Sequence, residues 1–193
     1  MKPDGSPAPA GWMEQVRDRL SVRDRRSVEH REGLRRAGVL VPLFVREAGL
    51  WMILTRRTES VEHHRGQISF PGGAEETGDT TLWHTALRES EEELGIRPGD
   101  AIALGRLSPL VTVTNFYVEP FVAAIPQPYE LRPAEAEIAE VLEVPLAALL
   151  DPDALEQRLL PGREEPVLFY HYGERVIWGA TARIVEELLE ALR

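Results

Sequence analysis

Segments with the pattern of buried strands alternate along this chain with segments of helical periodicity, and this alternation limits the fold more than any other feature of the sequence. Continuous apolar runs typical of strands occupy four segments, at 37–45, 50–56, 101–107 and 117–125. Apolar residues recur at helical spacing at about 80–94 and again at 180–192. Strands and helices interleaved in this way predict an α/β fold, in which a mixed β-sheet is sandwiched between helices.

Proline and glycine residues add local detail to this prediction. Pro42 lies within the first apolar run, and because proline has no N–H to donate, we expect that run to lie at a sheet edge or to carry a bulge. The first helical segment should begin after Asp79 or Thr80 as its N-cap and end at Gly95. Two strand-like segments within 167–178, separated by a Gly-Glu pair, predict a hairpin.

The chain contains no linker and no internal repeat that would divide it. We therefore expect a single domain over residues 1–193. Residues 1–11 are rich in proline, glycine and alanine and predict a flexible tail. Residues 12–36 begin with apolar side chains at helical spacing, and we expect them to form an N-terminal helical extension, in which the charged stretch 21–36 is a solvated helix or a loop.

The net charge and the absence of cysteine exclude several classes of function. The chain carries 22 basic and 32 acidic residues, a formal charge of −10, and such a surface repels phosphate backbones, so nucleic acid is not expected as a partner. Without cysteine, the chain has no disulfide, thiolate zinc site or cysteine nucleophile. No apolar run approaches the roughly 20 residues of a membrane span, so we expect a cytoplasmic protein that binds no membrane.

Three glutamates in the first helical segment give the strongest indication of chemistry. On a helix, Glu89, Glu92 and Glu93 lie at i, i+3 and i+4 and share one face. Carboxylates about 6 Å apart repel by roughly 0.7 kcal/mol per pair in water and by roughly 3 kcal/mol at an effective dielectric of 20, so in a cleft they need a cation. Their hard oxygen atoms select Mg²⁺ or Mn²⁺, with Ca²⁺ as an alternative, over soft metals. The spacing alone is more typical of a solvated acidic helix face.

The same helical segment has a second, less polar face formed by Trp83, Leu87, Ser90 and Leu94. We expect this face to be buried while the three glutamates are presented outward. Just upstream, Phe70-Pro71-Gly72-Gly73 supplies glycines that permit close approach of the backbone to a ligand. This neighbouring loop favours a functional role for the glutamates over a merely solvated face.

The residues around the glutamates resemble the Nudix box, whose usual form is Gly-x5-Glu-x7-Arg-Glu-U-x-Glu-Glu-x-Gly-U, with U a bulky aliphatic residue. Six positions match: Arg88, Glu89, Glu92, Glu93, Gly95 and Ile96. Ser90 stands at an aliphatic position of the motif. Counted back from Arg88, the first acidic position falls on Thr80; counted forward from Gly73, it falls on Asp79, in a loop that is one residue longer.

A second segment resembles the signature of the coenzyme A pyrophosphatase branch of that family, Leu-Leu-Thr-x-Arg-[Ser/Ala]-x3-Arg-x3-Gly-x3-Phe-Pro-Gly-Gly. The chain has Ile53-Leu54-Thr55-Arg56-Arg57-Thr58, followed at matching spacing by Gly66 and by Phe70-Pro71-Gly72-Gly73. That branch also tends to carry the longer loop before Arg-Glu. Glu62 reverses a charge where the branch has arginine. The resemblance extends over most of the chain after Ala37.

The resemblance implies a Nudix-type α/β/α sandwich and metal-dependent hydrolysis of the diphosphate bond of coenzyme A, which yields 3′,5′-ADP and 4′-phosphopantetheine. The residues implied as ligands for Mg²⁺ or Mn²⁺ are Glu89, Glu92 and Glu93. Arg88 would orient these glutamates through charge-assisted hydrogen bonds. The general base would be Glu92, or a residue of a later loop, where Glu137 and Glu135 are the candidates.

Coenzyme A carries a 3′-phosphate besides its diphosphate, so its site needs cations outside the metal centre. The residues expected to bind substrate are Arg56, Arg57, Arg65, Phe70, Gly72 and Gly73. Two alternatives stay open: a Nudix hydrolase of another nucleoside diphosphate derivative, such as ADP-ribose or NADH, and a sensor that binds nucleotides without cleaving them. The intact glutamate triad argues against the sensor, since binding alone does not need it.

Overall fold

An eight-stranded mixed sheet forms the centre of the fold. The computed structural model describes residues 11–28, 33–47, 49–58, 66–162 and 164–193. The strands of this sheet are β1 (Arg35–Arg46), β2 (Gly49–Arg57), β3 (Ile68–Ser69), β4 (Gly72–Ala74), β5 (Ile102–Arg106), β6 (Leu110–Val111), β7 (Phe116–Ala124) and β8 (Ile138–Pro145). A separate antiparallel sheet contains β9 (Leu155–Arg158), β10 (Val167–Tyr172) and β11 (Arg175–Trp178).

Four α-helices accompany the two sheets in the described part of the chain. They are α1 (Trp12–Ser21), α2 (Leu82–Leu94), α3 (Leu146–Leu149) and α4 (Gly179–Leu192). In the large sheet the strands run in the order β3-β2-β1-β7-β5, with β4 paired to β1, β6 to β7 and β8 to β2. The pair of β1 and β7 is parallel and the other pairs are antiparallel. The prediction of a hairpin within 167–178 is confirmed by β10 and β11.

Pro42 lies in a central strand, and the prediction of an edge strand is therefore wrong. On one side, β1 pairs with β7 over its first nine residues, including Pro42 with Ala123. On the other side, β4 pairs with β1 up to Val39 and β2 pairs with it from Leu43, so Pro42 falls between the two ladders. The N–H of Leu40 points to this second side, and residue 42 has the same orientation because strand periodicity is two. The side of Pro42 that lacks an N–H therefore faces the gap between the β4 and β2 ladders.

The two faces of the large sheet carry separate apolar clusters. Because side chains alternate along a strand, Leu40 and Phe44 of β1 pack in the cluster that includes α2. Val41 and Leu43 point the other way and pack in the cluster that includes residues of α1 and α4. The predicted fold, a mixed sheet between helices, is confirmed by this arrangement.

The N-terminal segment is less helical than the sequence suggests. The predicted extension over 12–36 is helical only in α1, which ends at Ser21, and the remaining described residues before β1 form no helix. Polar contacts hold this stretch instead: Arg25 Nε donates to the carbonyl of Leu107, and the N–H of Arg26 donates to Ser108 Oγ. Apart from Gly11, the predicted tail lies outside the described residues. No helix in the described ranges is long and apolar enough to span a membrane.

Candidate active site

Local capping defines both ends of α2. Thr81 is the N-cap, and its hydroxyl oxygen accepts the N–H of His84 at 3.2 Å. The predicted caps, Asp79 and Thr80, lie two residues and one residue too early, respectively. The helix ends as predicted at Gly95, whose φ of 69° is the left-handed conformation that favours glycine, and whose N–H donates to the carbonyl of Glu91 at 2.8 Å.

A glycine in β1 allows α2 to lie directly on the sheet. A Cβ atom built on Gly38 would lie 2.0 Å from the carbonyl oxygen of Leu82 and 3.1 Å from the backbone nitrogen of Ala86. The helix could not keep this position over any other residue. The role of Gly38 was missed from the sequence, although a glycine inside a strand pattern is a known signal of close backbone approach.

The three glutamates of α2 differ strongly in exposure. The side chain of Glu93 is 3% exposed, that of Glu89 is 18% exposed and that of Glu92 is 60% exposed. The expectation that all three face outward is therefore wrong, because part of this helix face turns toward the β4 segment. Of the face expected to be buried, Leu87, Ser90 and Leu94 are buried; Trp83 is only half-buried.

Glu93 lies between the backbone of β4 and an arginine of β2. The N–H of Gly72 donates to Oε2 of Glu93 at 3.2 Å, and Nη2 of Arg57 donates to Oε1 at 2.9 Å. Burial raises the pKa of Glu93 to about 7, although the charge of Arg57 and the Gly72 N–H act in the opposite direction. The carboxylate is thus strongly desolvated and depends on nearby positive charge.

Glu89 packs on the second glycine of the same pair. A Cβ atom built on Gly73 would lie 2.4 Å from Cδ of Glu89 and 2.5 Å from its Oε1. Partial burial raises the pKa of Glu89 from its ordinary value, and the hydrogen bond from Arg88 opposes this effect. Gly72 and Gly73 therefore bring the carboxylates of Glu93 and Glu89 together against one short stretch of backbone.

Arg88 links the helix to the loop that precedes it. Its Nη1 donates to Glu89 at 2.9 Å and to Glu92 at 3.2 Å. Its Nη2 donates to Asp79 at 3.1 Å and to the carbonyl oxygen of Ala74 at 3.0 Å. The predicted role of Arg88 in orienting the glutamates agrees with these contacts. They also identify Asp79, rather than Thr80, as the acidic partner in the longer loop.

The Asp79–Arg88 pair predicts an acid-dependent loss of stability. The hydrogen bond from Arg88 lowers the pKa of Asp79 to about 2 from its ordinary 3.8, so this pair stabilises the native state above pH 4 and ceases to do so as the pH falls toward 2. The effect is about 2 kcal/mol.

We expect Asp79→Asn to lower the free energy of unfolding by that amount at pH 7 and by much less at pH 2.5, as measured by urea denaturation. Asp18→Asn, on the exposed surface of α1, is the control; an equal loss for Asp79→Asn at both pH values would contradict the assignment.

The loop before β8 brings one predicted base candidate to the glutamates. The N–H of Ala134 donates to the carbonyl of Glu93 at 2.9 Å, and that of Thr58 donates to the carbonyl of Glu137 at 2.8 Å. These bonds place the Glu137 carboxylate 3.9 Å from Arg57 Nη1, and its side chain is 55% exposed. Glu135, the other candidate in this loop, is exposed.

Two residues expected to bind substrate, Arg56 and Phe70, are not brought to the glutamates. Arg56 Nε donates to Glu140 at 3.0 Å, away from the carboxylates of α2. Phe70 is 3% exposed and packs in the apolar core, so its side chain is not available to a ligand, and its predicted role in binding is corrected for this reason. Arg65 lies outside the described residues.

The donor chemistry of this site fits a hard divalent cation, although the carboxylates are engaged with arginines. Within the described residues, no three acidic or histidine side chains stand ready as a group to hold a metal ion. In this structure, Arg57 donates to Glu93, and Arg88 donates to Glu89 and Glu92. All the available ligand atoms are carboxylate oxygens, which suit Mg²⁺ or Mn²⁺.

Comparisons with known proteins agree with this geometry. The family model described as the NUDIX domain matches residues 34–164. The uncharacterized Nudix hydrolase NudL of Photorhabdus laumondii is 35% identical over 161 residues, which cover 82% of this chain and 86% of that protein. Its counterpart in Escherichia coli O6:H1 is 37% identical over 176 residues, which cover 86% of this chain and 84% of that protein.

Solved structures show a similar fold at low sequence identity. A MutT/nudix family protein from Enterococcus faecalis superposes with a TM-score of 0.53 and 15% identity, over 86% of this chain and 63% of that one. An Ap4A hydrolase from C. elegans, in a binary complex, superposes with a TM-score of 0.50 and 18% identity, over 59% of this chain and 82% of that one.

Proposed function

The chain belongs to the Nudix hydrolase family, whose members act on nucleoside diphosphate derivatives, and we propose that its substrate is coenzyme A or one of its derivatives. Hydrolysis of the diphosphate bond would release 3′,5′-ADP and 4′-phosphopantetheine. Nudix hydrolases generally use divalent metal ions, and we propose Mg²⁺ or Mn²⁺ for this chain. The cytoplasm, as predicted from the sequence, is the proposed compartment.

One observation carries this proposal: the two sequence segments on which it is based meet at a single carboxylate. Arg57 and Gly72 belong to the segment that resembles the coenzyme A pyrophosphatase signature, and both donate hydrogen bonds to Glu93 of the Nudix box. The two segments are therefore parts of one site. This contact supports a role of the upstream segment at the place where the diphosphate is cleaved.

The metal ligands that we propose are Glu89, Glu92 and Glu93. When bound, a divalent ion neutralises charge on the phosphoryl oxygens and lowers the pKa of a bound water molecule. Arg88 would fix the orientation of Glu89 and Glu92 through the hydrogen bonds already present in this structure. The bidentate contact of Arg88 with Asp79 in turn anchors its guanidinium group.

Two exposed carboxylates are candidates for the general base that accepts a proton from water. Glu92 is 60% exposed and keeps one carboxylate oxygen outside its contact with Arg88. Glu137 is 55% exposed and lies close to Arg57. We propose one of these two residues as the general base. We propose Arg57 as the cation that contacts the substrate diphosphate, and Gly73 as a position where the absence of a side chain leaves room for the Glu89 carboxylate.

A panel of substrates tests the proposed function. With Mg²⁺, we expect kcat/KM for coenzyme A to exceed that for dephospho-coenzyme A at least 10-fold, because the second compound lacks the 3′-phosphate. Equal values would contradict the expected recognition of the 3′-phosphate. Preferred turnover of ADP-ribose or NADH would identify a different Nudix substrate, and binding of these compounds without any cleavage would support the sensor.

A further inference from the structure

The guanidinium group of Arg57 occupies a position next to Glu93 that a metal ion cannot share. Among the described residues, the Glu93 carboxylate has two hydrogen-bond donors, the Gly72 N–H on Oε2 and the Arg57 guanidinium on Oε1. The first belongs to the backbone of β4 and is fixed by its pairing with β1. The second lies at the end of a flexible side chain that is 23% exposed. Of the two donors, only Arg57 can leave without a change in the fold.

A divalent cation bound at Oε1 of Glu93 would compete with this guanidinium for the same oxygen atom. The two cations repel each other at close range, and the repulsion is strong where water is excluded. Glu93 is 3% exposed, so little solvent screens this pair. Occupation of Glu93 by a metal ion and by Arg57 should therefore be mutually exclusive.

We propose that Arg57 is the exchangeable counter-ion of Glu93: it neutralises this carboxylate in the metal-free protein and turns to the substrate diphosphate when the metal binds. This inference rests on the proposed function, since it assumes that Glu93 is a metal ligand. It assigns Arg57 a second task besides substrate contact. Metal and diphosphate then bind with positive coupling. The metal ion displaces Arg57 from Glu93 and so frees it for the diphosphate. The diphosphate draws Arg57 away from Glu93 and so frees this carboxylate for the metal ion.

The surroundings of Arg57 allow this exchange. Its Nη1 already lies 3.9 Å from the exposed carboxylate of Glu137, so the guanidinium keeps an acidic neighbour after it leaves Glu93. A guanidinium group has five N–H donors, which match the oxygen atoms of a diphosphate in bidentate geometry. Arg57 is also the last residue of β2, where a movement of the side chain disturbs no central strand.

The adjacent arginine provides a matched control. Arg56 precedes Arg57 in the same strand, is exposed to a similar degree and also forms an ion pair, but its partner is Glu140. Glu140 is shared with Arg175 and is not among the proposed metal ligands. Removal of either arginine deletes one positive charge from β2, but only the removal of Arg57 frees Glu93.

Mn²⁺ titrations followed by electron paramagnetic resonance, at pH 8.5 and without nucleotide, test this inference. For Arg57→Gln we expect the Kd of Mn²⁺ to be at least 10-fold lower than for the wild-type protein. For Arg56→Gln we expect a change of less than 2-fold, and Arg57→Lys should keep the weaker wild-type affinity because it keeps the charge. A gain in affinity distinguishes competition from structural damage, which would weaken binding.

A second measurement follows the side chain itself. The Nε–H resonance of Arg57, identified as the one that Arg57→Lys removes, should shift on saturation of the wild-type protein with Mg²⁺. An unchanged resonance, or an unchanged or weaker Mn²⁺ affinity in Arg57→Gln, would overturn the exchange while leaving the proposed function intact. Failure of the wild-type protein and all variants to bind Mn²⁺ would overturn the proposed metal site as well.

Discussion

Replacement of Glu93 by glutamine should lower turnover of the diphosphate substrate at least 100-fold and should also stabilise the metal-free protein at pH 8. The loss of activity follows from the removal of a charged metal ligand. The gain in stability follows from burial, since Glu93 is 3% exposed and its pKa is raised to about 7. Folding therefore has to desolvate a charge above pH 7, and glutamine removes that cost.

The sign of the pH dependence is specific to a raised carboxyl pKa. The folded state binds the proton more tightly than the unfolded state, where the pKa is near 4.5, so the wild-type protein loses stability as the pH rises from 4.5 through 7. The loss amounts to at most about 3 kcal/mol. We expect Glu93→Gln to unfold at higher urea concentration than wild type at pH 8 in the presence of a chelator, and at a similar concentration at pH 5.

Glu91→Gln is the control for both effects, because Glu91 lies on the same helix and is exposed. It should change neither turnover nor the midpoint of unfolding appreciably. A Glu93→Gln variant that retains wild-type turnover at limiting Mg²⁺ would remove Glu93 from the metal site. A variant that is less stable than wild type at pH 8 would contradict the role of burial.

Replacement of Gly38 by alanine should strongly destabilise the protein. The new Cβ would lie 2.0 Å from the carbonyl oxygen of Leu82, so α2 would have to move away from β1. We expect the free energy of unfolding to fall by about 3 kcal/mol or more, since backbone atoms cannot yield as a side chain does. Activity should fall with it, because α2 carries the glutamates.

Gly99→Ala is the matched control, because a Cβ at that position meets no other atom within 4 Å. Urea denaturation of both variants measures the difference. A Gly38→Ala protein with the wild-type midpoint would show that α2 does not lie on β1 as closely as described here.

The helix that carries the site could be predicted from the sequence because its determinants are local. Its apolar spacing, the ending at Gly95 and the positions of Arg88 and the glutamates are all contained within one segment. The burial of Glu93 could not be predicted in this way. It depends on Gly72 and Arg57, which lie 21 and 36 residues away in the chain and reach the helix only through the sheet.

The same limit applies to the two arginines of β2. The sequence assigned Arg56 and Arg57 to substrate binding together, yet their ion pairs go to Glu140 and Glu93 respectively. The register between β2 and β8 shifts between these two residues, and an irregularity of this kind has no signature in the chain itself. Pro42 illustrates a similar point, because the gap that accommodates it is formed by two different partner strands.

Hydrolysis of coenzyme A in ¹⁸O-labelled water with Mg²⁺, analysed by mass spectrometry, tests the proposed activity most directly. We expect 3′,5′-ADP and 4′-phosphopantetheine as products, with one ¹⁸O atom in one of the two, and at least 100-fold less product from Glu93→Gln in the same time. Coenzyme A that remains intact after incubation with the folded, Mg²⁺-saturated wild-type protein would contradict the proposed function.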